Sequence, residues 1–387
     1  MSGVSKNANR DKFGSIEVGR GVAALLVVLH HTGSIMSEPR FFGAEPFNSH
    51  FNNFNVGVDF FFVLSGFIIT WIHWDDIGRK EQIRTFAAKR FVRIYPPYWF
   101  ILAPLVILYL IFTGAGQPSQ RDPINIILSI LLLPNPVQPV LGVAWTLTHE
   151  IFFYALFAVI IWCGRRALWI LPAWALAIVA ANLLVTFQAI EPLPFPLSFV
   201  FSPFNIEFIM GVGVAMILRH AKIPAPYAFA SLGVLSFFIL TWFFVTIQDD
   251  PLIGRLAFGT ASILFVLGAV EIERQRPLNV PGFLLAFGAS SYAVYLVHPV
   301  VLSFSINLSS RLGMSTYFSL NIIALVMAFI AAAFGISYHY LVERRLIRVA
   351  RRIVEPRRKI QVPDRHPAEN DQTAGIRPEQ KASRIEA

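Results

Sequence analysis

An arginine and a histidine stand eleven residues apart near the start of the chain, Arg20 and His31, within a run that opens Ile16-Glu17-Val18-Gly19-Arg20-Gly21 and reaches His30-His31. In a helix, eleven residues make three turns plus about 20°, so the two share one face, about 16 Å apart along the axis. His30 falls about 80° off that face. Glu17 lies one turn before Arg20 and can pair with it. Four more ionisable residues interrupt apolar stretches. Asp59 sits in GVDFFFVLSGF over 57–67, Glu150 in WTLTHEIFFY over 145–154, Glu207 ahead of Gly211 and Gly213, and His298 in SYAVYLVHP over 291–299. A neutral histidine beside a carboxylate is the usual pair for taking a proton from a hydroxyl. His31, Arg20, Glu150, Asp59 and His298 are therefore the candidate catalytic set. Arg90 and Arg93, one turn apart in KRFVRIYPP over 89–97, suit a grip on phosphates, because guanidinium groups bind them bidentately.

Each of these has a plainer reading. Arg90 and Arg93 would also serve as an anionic-lipid contact and topology signal. Ser65 and Gly66 read as small packing residues. Asp59 is harder to dismiss, since a carboxylate among phenylalanines needs a partner. Cys163, the single cysteine, reads as a packing residue and excludes an internal disulfide or a cysteine-based zinc site. No metal centre is expected.

The elements that must position these groups follow from composition. Of 387 residues, 55% are hydrophobic and only 14% charged, against roughly 25% charge in a soluble domain. Apolar runs fall at about 16–36, 56–74, 94–112, 143–163, 167–187, 199–218, 227–247, 252–271, 282–306 and 317–340, most near the length of about 20 residues that crosses a bilayer core. A shorter run, 124–133, is bounded by Pro123 and closed by Pro134 and Pro136, and reads as re-entrant or interfacial. The expected fold is an all-α, polytopic membrane bundle of ten spans plus that segment. This excludes a soluble enzyme, a nucleic-acid module and a disulfide scaffold. The first run follows Lys6, Arg10 and Lys12 and reads as a retained helix, not a signal peptide.

Charge sets the orientation. With both termini inside, only Arg40, Arg121, Arg255 and Arg311 of the 32 lysines and arginines lie outside, which the positive-inside rule supports strongly. The net charge of +9 is thus topological and does not point to nucleic acid. The expected organisation is a cytoplasmic N-terminus over 1–15, a membrane domain over 16–346 and a basic cytoplasmic tail over 347–387, disordered by composition. At helical rise, Arg20, Arg90 and Arg93 lie near the inner face, while His31, His298, Asp59, Glu150 and Glu207 fall in the outer half. This predicts a cationic inner mouth with a histidine and carboxylate cluster about 15 Å beyond it. Such spacing suits a donor with an anionic head and a long thin arm, the shape of acyl-coenzyme A. The same buried groups would equally relay protons in a transporter or a flippase for lipid-linked sugars, although no internal repeat favours one.

Taken in order, these motifs resemble the membrane acyltransferase-3 family over about residues 13–346. The resemblance implies an acetyl-CoA-dependent O-acyltransferase of the bacterial inner membrane. Its acceptor would be a sugar hydroxyl of an exopolysaccharide, a lipopolysaccharide or a lipid-linked oligosaccharide. It implies essential roles for Arg20 and His31, and coenzyme binding by Arg90 and Arg93. His30 departs from the family pattern, which usually has an apolar or aromatic residue there. In the expected mechanism His31 is the general base, Glu150 or Asp59 orients it, and His298 assists as acid or oxyanion donor.

Overall fold

The computed structural model describes residues 13–354, apart from 113, 115 and 244–250. Of the tail expected over 347–387, residues 355–387 lie outside the described residues. The helices are α1 Gly14–Met36, α2 Gly57–His73, α3 Gln82–Ile111, α4 Pro123–Leu131, α5 Trp145–Cys163, α6 Ile170–Thr186, α7 Leu197–Val200, α8 Phe204–His220, α9 Pro226–Phe243, α10 Pro251–Gln275, α11 Gly282–Ala289, α12 Ser291–Arg311, α13 Leu320–Tyr338 and α14 Arg344–Val354. Among the described residues, nine helices are long and apolar enough to cross a membrane. The seventh expected span, 227–247, is the shorter apolar helix α9, and the last part of that range is not described. The run 282–306 is two helices, α11 and α12, broken at Ser290.

Local departures from regular spans carry several of the polar residues. The helix α10 starts at Pro251, so Arg255, expected on the outside at the start of the run 252–271, lies within the helix and is buried. A one-turn widening over His339–Glu343 joins α13 to α14, a π-type insertion of the kind often found at functional sites. The boundary drawn at 346 therefore falls inside a helix that runs on to Val354. Pro46–Val56 forms a 3-10 segment that folds over the end of α1, tied down by His30 Nδ1 at 2.9 Å from the Asn52 carbonyl.

The short segment α4 is not among the helices long enough to cross a membrane. Gln120, before it, donates to the carbonyl of Val140, after it, at 2.9 Å, so the chain doubles back on itself there. Its C-terminal carbonyls would be left bare in an apolar setting, where each costs several kcal/mol. Three side chains of α3 answer them: Tyr98 to Ser129, Trp99 to Ile130 and Tyr95 to Leu131, at 2.7–2.9 Å.

The helices α2 and α8 pack backbone to backbone. A Cβ on Gly66 would lie 2.0 Å from the carbonyl oxygen of Phe208, and one on Gly211 would lie 2.0 Å from that of Val63. The two backbones therefore touch, and Gly66 is the packing residue its type suggests. Gly213, two residues on, faces open space. Gly211→Ala is expected to destabilise the bundle by about 1–3 kcal/mol through overpacking. Gly213→Ala should be neutral or slightly stabilising, as for any exposed helical glycine. Thermal unfolding of the detergent-solubilised variants separates the two.

Candidate active site

A cavity of about 1760 Å³ runs into the bundle, larger than the 300–1,000 Å³ typical of ligand pockets. Its wide end lies between the start of α1 (Phe13, Gly14, Glu17), the end of α2 (Trp71, Ile72), Arg219 of α8 and Glu273 and Arg274 of α10. Arg20, Arg90, Arg93 and Arg351 also line it. The lining reaches Phe61, eleven residues from Ile72 along α2 and so about 16 Å deeper. Thr146 and Tyr295 complete the deep end, with the Thr146 hydroxyl 2.8 Å from the Tyr295 hydroxyl.

The structure thus brings Arg20, Arg90, Arg93 and Glu150 to one cavity. Arg20 pairs with Glu17 at 3.3 Å, as their spacing on α1 predicts. Glu150 accepts hydrogen bonds from the Tyr154 hydroxyl and from Ser65 at 3.3 Å. Ser65, expected only to pack, is therefore a lining residue that holds Glu150.

His31 and His298 meet just behind the deep end. The Tyr295 ring lies 5.8 Å from that of His298, and His298 Nε2 is 3.3 Å from His31 Nδ1. Their tautomers follow from their other partners. His31 Nδ1 is 3.0 Å from the Val27 carbonyl, and His298 Nδ1 is 3.1 Å from the Val294 carbonyl. A carbonyl only accepts, so both rings carry the proton on Nδ1. His31 Nδ1–H is then shared between Val27 and the lone pair of His298 Nε2, which leaves the lone pair of His31 on Nε2. His298 is fully buried, whereas His31 is half-buried. Pro299 withholds the N–H that the Tyr295 carbonyl would otherwise receive, and the His298 ring turns back onto this turn.

This geometry corrects two expectations. No carboxylate bonds to His31 among the described residues, so neither Glu150 nor Asp59 orients it; a second imidazole does. His298 has its N–H committed to Val294 and its lone pair turned to His31, so it has no donor for an oxyanion. Asp59 stands apart, fully buried, with Oδ2 2.5 Å from Arg255 Nη1 and the carboxyl of Glu207 beside it. The expected single cluster in the outer half is therefore three groups: the histidine pair, Glu150 in the cavity, and the Asp59–Glu207–Arg255 group joining α2, α8 and α10.

Sequence reasoning missed several contributors. His73 and Asp76 stand behind Arg90, and His339 and Glu343 behind Arg93. Their spacings, three and four residues, place each pair on one helix face and were readable. Arg255 was hidden by its position near the start of an apolar run. His149 of the WTLTHEIFFY motif is a buried packing histidine, its Nδ1 3.0 Å from Asn205 Oδ1.

The bundle and its arginine-lined cavity are those of a helical membrane protein, and its family is that of acyltransferases. The family described as "Acyltransferase domain" matches residues 13–340, and the chain belongs to this acyltransferase-3 family. It is 28% identical over 330 residues to the exopolysaccharide production protein ExoZ of Rhizobium meliloti (strain 1021), covering 80% of this chain and 95% of that one. It is 27% identical over 322 residues to the acyltransferase MdmB of Streptomyces mycarofaciens, covering 76% and 81% respectively. Protein 2 in the picA locus of Rhizobium radiobacter is 30% identical over 189 residues, 43% of this chain and 90% of that one. No solved structure matches.

The Asp59–Arg255 pair carries a stability prediction. Arg255→Leu leaves two buried carboxyls without their cation and is expected to cost about 3–5 kcal/mol. Adding Asp59→Asn should recover part of that loss. Thermal unfolding in detergent reads both effects.

Proposed function

We propose that this protein transfers an acyl group, acetyl in the first instance, from acyl-coenzyme A to a hydroxyl of a cell-surface or lipid-linked carbohydrate. The supporting observation is the alignment of an arginine-lined cavity with a paired, correctly tautomeric histidine behind its deep end. Arg90 and Arg93 meet the phosphates of the donor at the wide end, and its pantetheine arm extends toward Phe61, Thr146 and Tyr295. His31 Nε2 takes the proton of the sugar hydroxyl as that oxygen attacks the thioester carbonyl. The positive charge that develops on His31 is stabilised through Nδ1–H by Val27 and His298, the place a carboxylate takes in a catalytic triad. Arg20 keeps Glu17 paired at the cavity wall, and Glu150 supplies a polar surface within it. His31 then passes that proton to the departing thiolate, leaving free coenzyme A, the ester and a neutral His31.

In this reading the wide end faces the cytoplasm, where coenzyme A thioesters are made, and both termini lie on that side of a bacterial inner membrane, as the distribution of lysine and arginine supports. An exopolysaccharide is the acceptor class favoured by the name of the Rhizobium meliloti relative.

The test is transfer of label from acetyl-CoA to host glycans by purified protein. His31→Ala should lose transfer by about 10²-fold or more, the usual worth of a general base, while still binding acetyl-CoA. His298→Ala should lose activity without losing donor binding. A normally folded His31→Ala protein with full transfer activity would end this reading.

A further inference from the structure

Arg90 and Arg93 are one turn apart on α3, yet they are held by different chemistry. Arg93 Nη1 faces a carboxylate, Glu343 Oε1 at 3.6 Å, whose other oxygen accepts from His339 Nδ1 at 2.6 Å. Arg90 Nη2 instead donates to a ring nitrogen, His73 Nε2, at 2.9 Å. His73 Nδ1 is 2.7 Å from Asp76 Oδ2. The carboxylate accepts, so Nδ1 carries the proton and Nε2 presents its lone pair to the guanidinium. His73 is 2% exposed, and its ring stands edge-on to Phe86 at 5.0 Å, so it cannot turn away.

The remaining contacts of Arg90 are of the same kind. Its guanidinium carbon lies 5.8 Å from the centre of the Phe86 ring and 5.5 Å from that of Tyr154, within cation–π range. Its Nε is buried with no hydrogen-bond partner among the described residues. All of these contacts orient the guanidinium, and none cancels its charge. A carboxylate at position 73 would orient it equally well and neutralise it. The neutral imidazole leaves the charge available, and Asp76 acts one bond further back by fixing the tautomer, as second partners of metal-bound histidines do.

We propose that His73 and Asp76 are a positioning pair for donor binding. Together they aim Arg90 into the cavity with its full charge presented to the anionic head of the acyl donor. The proposal rests on the reading of Arg90 as a donor contact. It predicts that position 73 requires a neutral hydrogen-bond acceptor, not merely an acceptor and not merely a ring.

The experiment compares His73→Gln, His73→Leu and His73→Glu with Arg90→Gln, measuring KM for acetyl-CoA, kcat and equilibrium binding of coenzyme A. The amide oxygen of glutamine reaches the place of Nε2 without charge, so His73→Gln should keep KM within about twofold. His73→Leu removes the acceptor and should raise KM about tenfold with kcat unchanged, the scale of one hydrogen bond to a charged group. His73→Glu restores an acceptor but neutralises Arg90, and should raise KM at least as much as leucine does. The proposal is overturned if His73→Glu binds the donor as tightly as His73→Gln, or if folded His73→Leu matches the wild type. Should His73→Leu fail to fold, the glutamine and glutamate variants still decide. If Arg90→Gln itself leaves donor binding intact, the reading of Arg90 fails, a result distinct from failure of the pair behind it.

Discussion

Hydrocarbon solvates no charge, and that constraint explains where most polar side chains of this bundle sit. Asp59 on α2 is answered by Arg255 on α10, Glu343 at the end of α13 by Arg93 on α3, and Glu150 on α5 by Ser65 on α2. These partners come from different helices, so no helix can slide by a turn without stranding a group that hydrocarbon will not accept. The same demand falls on backbone. The last carbonyls of the short α4 are satisfied by Tyr95, Tyr98 and Trp99, which donate to them. The register of the bundle, and hence the position of every cavity residue, is set by these pairings together with the backbone contact of α2 and α8.

The histidines show a second use of the same constraint. A carboxylate behind His31, at the fully buried position of His298, would need a counter-charge of its own. A neutral imidazole needs only its own N–H satisfied, and the Val294 carbonyl on the same helix does that. His73 repeats the device at the other end of the cavity, where the group held is a guanidinium and not an imidazole. In both places a neutral nitrogen acceptor fixes a neighbour's geometry without adding charge to an apolar site. The helix α1 then sets the distance between the two ends, since Arg20 and His31 are eleven residues apart on one rigid helix.

What was legible in the sequence was local. Helical phase alone distinguished His31 from His30, and in the structure the two rings do turn to different partners, His298 and the Asn52 carbonyl. The proline-bounded run 124–133 read as re-entrant or interfacial because it was too short, and α4 is indeed not among the helices long enough to cross. Depth arithmetic gave each ionisable residue a height but no direction around the bundle. It therefore merged three separate groups into one cluster and offered Asp59 and Glu150 to His31. Arg255 was counted with the outer residues because it stands near the start of the run 252–271, whereas packing against α2 and α8 buries it within the helix. Partners across helices are fixed by azimuth and packing, and neither is written in one segment's pattern.

The division of labour along the cavity has a consequence for specificity. The cavity arginines and the groups that hold them sit on α1, α2, α3 and the turn after α13. The half-buried His31 stands beyond the deep end, where the nearest irregular chain is the Pro46–Val56 segment bound to α1 through Asn52 and to α13 through Asn321, which accepts from the Phe47 amide at 2.7 Å. A change in that segment alters what can approach His31 without disturbing Arg90, Arg93 or their supports. On the function proposed above, donor use and acceptor choice would be carried by separate parts of the chain. One acyl-transfer core could then serve different hydroxyl acceptors by variation of the connections between spans, with the buried pairings left untouched.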